Sequence, residues 1–312
     1  MNNERTGRLG QTKVYVGKFY RIFINEKDWK VLAFAAAISL VLSLVLRGSI
    51  FILKEGTRSG FFAIISSCVW IGIFNSIQNI CRERAIIKRE HRTGLHISSY
   101  VAAHMIFQAG VCVIQALIMT LVYGFILPFP TYGLVFGSFF VDLFVTFFLV
   151  IYSSDVLGLA ISALVKNTTA AMTVMPFVLI VQLIFSGTIF PLTGAAKSLS
   201  DLTIAKWGQR VLCVEANLNE IPSQMARDEI SIIQSIDSVK KLKESLPKEY
   251  QDKFDQTITN EVNVAISRYT YRSIYEHRRS NVVSRWMYLV IFTLAYAFIC
   301  VISLEFIDRD QR

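Results

Sequence analysis

The nucleophilic and titratable residues of this 312-residue chain show no spacing that supports bond chemistry. Its four histidines, His91, His96, His104 and His277, lack metal-ligand spacing, and no Cys-x-x-Cys pair occurs. A Gly-x-Ser-x-Gly nucleophile elbow is absent, and so is the Gly-x-x-x-x-Gly-Lys-Ser/Thr loop that cradles nucleotide phosphates. Asp142 and Asp155 are thirteen residues apart, which sets them ~20 Å apart along a helix, too far for a carboxylate pair acting on one bond. The sequence predicts a chain that is not an enzyme and binds no cofactor or metal of its own.

The densest chemistry is electrostatic. Arg82, Glu83, Arg84, Lys88, Arg89 and Glu90 crowd into a few residues, interrupted by Ala85, Ile86 and Ile87. Glu83 and Glu90 are two helical turns apart and share a face, flanked by Arg82, Ile86 and Arg89. Gly94 predicts the end of that helix, with Ser98 and Ser99 placed to cap the next one. Such a charged helix suits docking on a soluble domain; the alternative is a solvated loop that only fixes topology.

The elements around it are apolar. Stretches at 31–53, 60–80, 99–127, 132–165, 168–190 and 286–306 each predict a membrane crossing, because ~20 apolar residues span a ~30 Å hydrocarbon core. Hydrophobic residues make up 53% of the chain and charged residues 18%. The net charge of +9 is distributed as a topology signal and not as a nucleic-acid surface. Lys and Arg cluster before residue 31, in the loop 81–98, at Lys166 and after Glu305, whereas the two short opposite loops hold only Arg47, Lys54 and Arg58. By the positive-inside rule both termini are cytoplasmic. No cleavable signal peptide is expected, since about thirty mostly polar residues precede the first span.

Residues 13–29 place Tyr15, Phe19, Ile22 and Phe23 on one helical face, with Lys13, Lys18, Arg21 and Lys27 beside it. This predicts an amphipathic helix in the cytoplasmic interface, with Trp29 at headgroup depth. It is either a topological anchor or an elbow that meets a cytoplasmic partner. Four of the cysteines fall in or beside spans, and Cys213 alone lies in the outer segment, as an inert thiol or an intersubunit partner. The Asn-x-Thr sequon at Asn167 is on the cytoplasmic side, which fits a bacterial inner membrane.

Polar residues inside spans are costly and face a partner helix or a cavity. Asn75, Gln78 and Asn79 polarise the inner end of the second span, and Gln108 and Gln115 share one face of the third, with His104 a turn earlier. Gln182 stands alone in the fifth. Interhelical hydrogen bonding and a substrate path compete for each of these. Asp142 is the strongest path candidate, able to attract a cation or carry a proton. The segment 192–283 reads as two amphipathic helices joined at Leu246-Pro247, with stripes at Ile232, Ile236, Val239, Leu242 and at Tyr250, Phe254, Ile258, Val262, Ala265, Tyr269. Phe185 to Pro191 predicts a turn at the outer surface.

The loop resembles that of the White-type, G-subfamily ABC transporters, whose membrane domains are type 2 exporter folds. In that family a Glu-Arg or Glu-Lys pair ends the second span; Arg-Glu or His-Glu follows seven residues on, then Gly, then Ser-Ser-Tyr. Here these read Glu83-Arg84, Arg89-Glu90, Gly94 and Ser98-Ser99-Tyr100, one residue short between the Gly and the Ser pair. The resemblance implies that Arg82, Glu83, Arg84, Arg89, Glu90 and Gly94 couple to an ATP-binding domain. It implies a central path between two copies, bringing in Phe74, Asn75, Met175, Phe177 and Gln182. The family usually carries its ATPase on the same polypeptide; without a phosphate loop here, a separate ABC ATPase subunit is expected to hold ATP and Mg.

The expected architecture is an all-α polytopic membrane protein. Residues 1–30 form a cytoplasmic tail and elbow, 31–191 carry spans one to five with the coupling loop 81–98, 192–283 form an extracellular helical insert, and 284–312 carry span six and a cytoplasmic tail. The expected function is the permease subunit of an ATP-driven exporter of a hydrophobic or amphipathic substrate. It would act as a homodimer or beside a related permease, in the bilayer and without nucleic acid. The alternatives are a membrane sensor or immunity protein with a ligand-binding outer segment, and a proton-coupled carrier using Asp142.

Overall fold

The computed structural model describes residues 7–188, 190 and 192–306. Arg5, Arg309 and Arg312 of the topology count, and Ile189 and Pro191 of the turn after the fifth stretch, lie outside them. The described residues are helical, with no strand among them. In order the helices are α1 (Arg8–Asn25), α2 (Lys30–Leu46), α3 (Lys54–Ser76), α4 (Asn79–Arg92), α5 (Ile97–Ile126), α6 (Phe139–Leu164) and α7 (Thr168–Ile184). There follow α8 (Ala195–Ser200), α9 (Ile204–Glu215), α10 (Gln224–Ser235), α11 (Asp237–Ser245), α12 (Lys248–Thr270) and α13 (Arg279–Glu305).

Among the described residues four helices are long and apolar enough to cross a membrane: the α3–α4 rod, α5, α6 and α13. Counting α1 and α2, bent by 67°, as one broken span makes five. The first and fifth apolar stretches are shorter as helices than as sequence. α2 and α7 have 17 residues each, about 26 Å at 1.5 Å per residue. After Leu46 the chain turns back, burying Ile50 and putting Phe51 at φ 65°. Pro176 sits inside α7, which ends at Ile184.

α3 and α6 are the most enclosed of the long helices, and glycine sets their separation. A Cβ on Gly72 of α3 would lie 2.3 Å from the Ile151 carbonyl oxygen; one on Gly158 of α6 would lie 2.5 Å from Ser76 Oγ and 2.8 Å from the Ile73 oxygen. Small residues at this crossing let two backbones touch, which is how helices associate where lipid offers no hydrophobic drive. Ser76 adds a hydrogen bond from its hydroxyl to the Asp155 carbonyl. Large apolar side chains on α2, α5, α7 and α13, such as Phe34, Leu44, Ile106, Phe125, Ile180, Leu294 and Phe298, remain exposed, as a lipid-facing surface requires.

Residues 192–283 are not one detached insert. α9 is amphipathic, and every residue in it except Arg210 is buried. It packs against α3, α6 and α13, so part of a segment of near-neutral composition belongs to the bundle core. At twelve residues α9 is too short to register as a span in a hydropathy reading. The helical pair expected farther on is present, but its first stripe breaks at an extended Ile236 (ψ 125°) into α10 and α11. α12 covers the second stripe, and neither α11 nor α12 contains a buried residue.

α9 also carries a buried carboxyl that sequence reading overlooked. Thr146 of α6 donates its hydroxyl to Glu215 Oε1 at 2.7 Å, and Trp286 Nε1 of α13 donates to the same Thr146 oxygen at 2.9 Å. Glu215 Oε2 has no hydrogen-bond partner. Burial pushes this carboxyl up to about 8.

Two predictions follow from the packing. Gly158→Ala is expected to lower the melting midpoint of detergent-purified protein, at a cost of about 1–3 kcal/mol for overpacking. Gly110→Ala, where nothing approaches within 4 Å, should melt with wild type; equal melting of both variants would contradict the tight crossing. For Glu215, the unfolded carboxyl (about 4.3) loses its proton before the folded one. The stabilisation is therefore complete below about pH 4 and is lost as pH rises through about 8. The melting midpoint should fall between about pH 5 and pH 8, and Glu215→Gln should flatten that fall. An unchanged slope in the variant would overturn the assignment.

Candidate functional site

The charged cluster folds as α4, a continuation of α3 set off by a break at Ile77–Gln78. The break frees backbone donors, and Ser162 of α6 takes two of them: its Oγ accepts the N–H groups of Ile80 (3.1 Å) and Cys81 (3.0 Å). Arg84 Nη1 donates to the carbonyls of Ala163 and Val165, both at 2.9 Å, and so satisfies the C-terminal end of α6. At the other end Leu95 N–H returns to the Glu90 carbonyl while Gly94 adopts φ 109°, a left-handed stop suited to glycine. The expected serine cap differs. α5 starts at Ile97 with His96 as its cap residue, and Gln11 of α1 bridges the turn by accepting from His96 N–H (3.0 Å) and donating to the Gly94 carbonyl (3.2 Å).

Glu83 and Glu90 do share a face, but it points inward. Glu83 receives Lys18 Nζ of α1 at 3.1 Å and the Tyr100 hydroxyl of α5 at 3.1 Å. Glu90 receives the Tyr15 hydroxyl at 2.6 Å, and Arg82 pairs with Glu26. The apolar stripe of α1 likewise meets protein: Phe19 is buried, stacked on His104 at 3.8 Å, and Phe23 lies edge-on to Phe107. Glu83, Arg84 and Glu90, which the resemblance implies couple to an ATP-binding domain, are half-buried and bonded within the chain. Their partners are α1, α5 and α6, and the exposed stripe of α4 is Arg82, Ala85, Ile86 and Arg89. Sequence reading placed Tyr15 and Lys18 on the elbow helix and Tyr100 in the Ser-Ser-Tyr run but not as partners of Glu83 and Glu90, and it overlooked Ser162, the last of a Ser154, Gly158, Ser162 series spaced by four.

Next to this clamp a cavity of about 240 Å³ opens between α1, α2, the α3–α4 break and α5. Four path candidates, Phe74, Asn75, Gln78 and Gln108, line it, with Phe19, Phe23, Phe107, Val111 and Met172 as apolar wall and Glu26, Asp28, Arg82 and Glu83 as charged lining. Asn75 and Gln115 exchange side-chain hydrogen bonds at 2.7 and 3.0 Å, and Gln108 donates to the Asn75 carbonyl at 3.4 Å. Gln78 and Asn79 make no side-chain hydrogen bond and are half-exposed. An apolar wall with a few converging polar groups is the general character of a ligand cavity.

The other path candidates are elsewhere. Asp142 is not deep in a span: it lies in the first turn of α6 and accepts the N–H groups of Val135 (2.9 Å) and Phe136 (3.0 Å). Those bonds make it a clasp on the preceding loop. The carboxylate deep in α6 is Asp155, buried with both oxygens unpartnered. Gln182 accepts Ala205 N–H at 3.3 Å, tying α9 to α7. Met175 is buried in the core and Phe177 is exposed on the outside of α7. Asn167 caps α7 by accepting Ala170 N–H at 2.7 Å. Among the described residues no three His, Cys, Asp or Glu side chains gather into a metal site, and all five cysteines are free and buried.

Similarity to known proteins agrees with this layout. The chain is 33% identical over 147 residues to an ABC transporter ATP-binding/permease protein of Mycobacterium tuberculosis. That match covers 45% of this chain and 16% of the relative, so the chain spans a small part of that protein's length. The model of the ABC-2 type transporter family matches residues 20–210, from within α1 to within α9, and includes α4 and the cavity lining except Phe19. The chain belongs to the ABC-2 type transporter family of membrane domains.

Proposed function

We propose that the chain is the permease of an ATP-driven exporter, energised by an ATP-binding subunit that docks on the exposed stripe of α4. The observation that carries this reading is the clamping of α4: bonds to α1, α5 and α6 fix three of its sides and leave Arg82, Ile86 and Arg89 outward. A helix held in this way transmits a push to the bundle instead of yielding locally. In this reading α2, α3, α5, α6, α7 and α13 are the six spans, and α2 and α7 cross with local bilayer thinning. Both termini are cytoplasmic, α1 is the interfacial elbow, and α8 to α12 belong to the extracellular side. The permease works in pairs, and ATP and Mg are held by its partner subunits.

The cavity beside α4 supports a hydrophobic or amphipathic cargo taken from the cytoplasmic leaflet, with its chain against Phe23 and Phe107 and its polar end near Gln78 and Asn79. The proton-coupled carrier is disfavoured by the occupation of Asp142 with backbone donors.

The test is affinity purification of the tagged protein in mild detergent. Ile86→Asp/Arg89→Glu should lose a co-purifying ATP-binding subunit while keeping the wild-type melting midpoint. Glu83→Ala should instead lower that midpoint, because a charged hydrogen-bonding centre contributes about 1.5–3 kcal/mol. If no ATP-binding subunit accompanies the wild type, or the stripe variant retains it, the reading fails.

A further inference from the structure

The cavity beside α4 is unevenly furnished with charge. Three carboxylates line it, Glu26, Asp28 and Glu83, against one cation, Arg82. Arg82 is taken by Glu26, and Glu83 is held from outside the lining by Lys18 at 3.1 Å. Asp28, in the turn between α1 and α2, is exposed and forms no ion pair among the described residues. Partial burial and the charge of Glu26 raise its carboxyl above the ordinary value, although Arg82 and Lys30 act the other way. One negative charge of the lining is therefore left without a partner.

The α5 wall of the same cavity adds two bare acceptors. His104 is 4% exposed, and its Nε2 lies 2.9 Å from the Tyr100 hydroxyl. That hydroxyl has a single hydrogen, which it donates to Glu83 Oε2 at 3.1 Å, so it accepts from His104 Nε2–H. In the neutral imidazole Nδ1 is then an acceptor, and among the described residues nothing donates to it. Gln108, one turn along the same face, spends its Nε2 on the Asn75 carbonyl, and its Oε1 accepts no hydrogen bond. Residues four apart on a helix have Cβ atoms about 5–6 Å apart, so one small group can meet both acceptors. A buried acceptor without a donor costs stability until one arrives.

A guest that completes this lining brings hydrogen-bond donors and positive charge. A protonated primary amine supplies both, with three N–H groups and no acceptor. A carboxylate or phosphate headgroup would instead meet like charge at Glu26, Asp28 and Glu83. Phe23, Phe74 and Phe107 also line the cavity, and aromatic rings attract ammonium groups as well as alkyl chains. We infer that the cavity selects a cationic amphiphile with a primary ammonium head, which donates to His104 Nδ1 and Gln108 Oε1 among the acidic side chains and lays its chain on the phenylalanines. The inference rests on the reading of this cavity as the cargo site, and it adds the charge and donor character of the cargo.

The test is the melting midpoint of the full chain in mild detergent, titrated separately with octylamine hydrochloride, octyltrimethylammonium chloride, octanoate and octanol. Wild type should be stabilised saturably by octylamine and not by octanoate or octanol at the same concentrations. The quaternary ion has the charge without the N–H donors and should need at least tenfold more for half-saturation. Asp28→Asn removes no hydrogen bond, so it should fold, and it should need at least threefold more octylamine. Asp252→Asn, which removes the same charge from an exposed position on α12, should titrate as wild type. His104→Phe keeps a ring beside Phe19 but lacks Nδ1, and should bind the primary and quaternary ions alike. The proposal is overturned if octylamine stabilises wild type no more than octanol or octanoate does, or if the quaternary ion binds as tightly. It is also overturned if Asp28→Asn and Asp252→Asn titrate alike, or if His104→Phe keeps the preference for the primary amine. The titration needs neither nucleotide nor an ATP-binding subunit, so a failure of the ATP-driven reading shows in the co-purification and a failure of this one shows here.

Discussion

The crossing of α3 and α6 at Gly72 and Gly158 is the contact on which the other elements depend, because it fixes where the α3–α4 break falls relative to α6. With the two backbones in contact, Ser162, one turn beyond Gly158, meets the freed N–H groups of Ile80 and Cys81. One turn beyond Ile80, Arg84 then reaches the last carbonyls of α6. A single small-residue series therefore packs the helices and seats α4. A larger side chain at Gly158 would lift α3, and the donors at Ile80 and Cys81 would lose their acceptor.

α1 completes the clamp from the other side. Gln11, Tyr15 and Lys18 follow one another along one face of α1 and bond to the turn after α4, to Glu90 and to Glu83. These are polar bonds in a place where the neighbours supply apolar packing, notably Phe19 against His104 and Tyr100. Such bonds are directional, so α1 and α4 keep one relative orientation.

The helical class, the long spans and the stop of α4 at Gly94 were legible in the sequence, because each follows from periodicity, hydropathy or glycine placement. Three things were not. The direction in which Glu83 and Glu90 point depends on Lys18 and Tyr15, which lie 65 and 75 residues away in the chain. Asp142 reads as deep when the apolar run is taken from residue 132, but the helix starts only at Phe139, so the carboxylate falls in the first turn where loop N–H groups are free. α9 is as buried as a span yet shorter than any bilayer, and its charge-bearing flanks hid it within a soluble composition.

The central claim is that α1 and α4 move as one body, bonded through Glu83 and Glu90 and seated on α6 by Ser162. Spin labels at Lys13→Cys on α1 and Thr93→Cys at the end of α4 sit on exposed positions, and the native cysteines are buried. Their separation should be measured by electron–electron double resonance in the complex with the proposed ATP-binding subunit, without nucleotide and with ATP trapped. An unchanged distance distribution in the two states is the result the account predicts. A shift or a broadening on ATP binding would show that α4 moves independently of α1 and would contradict it.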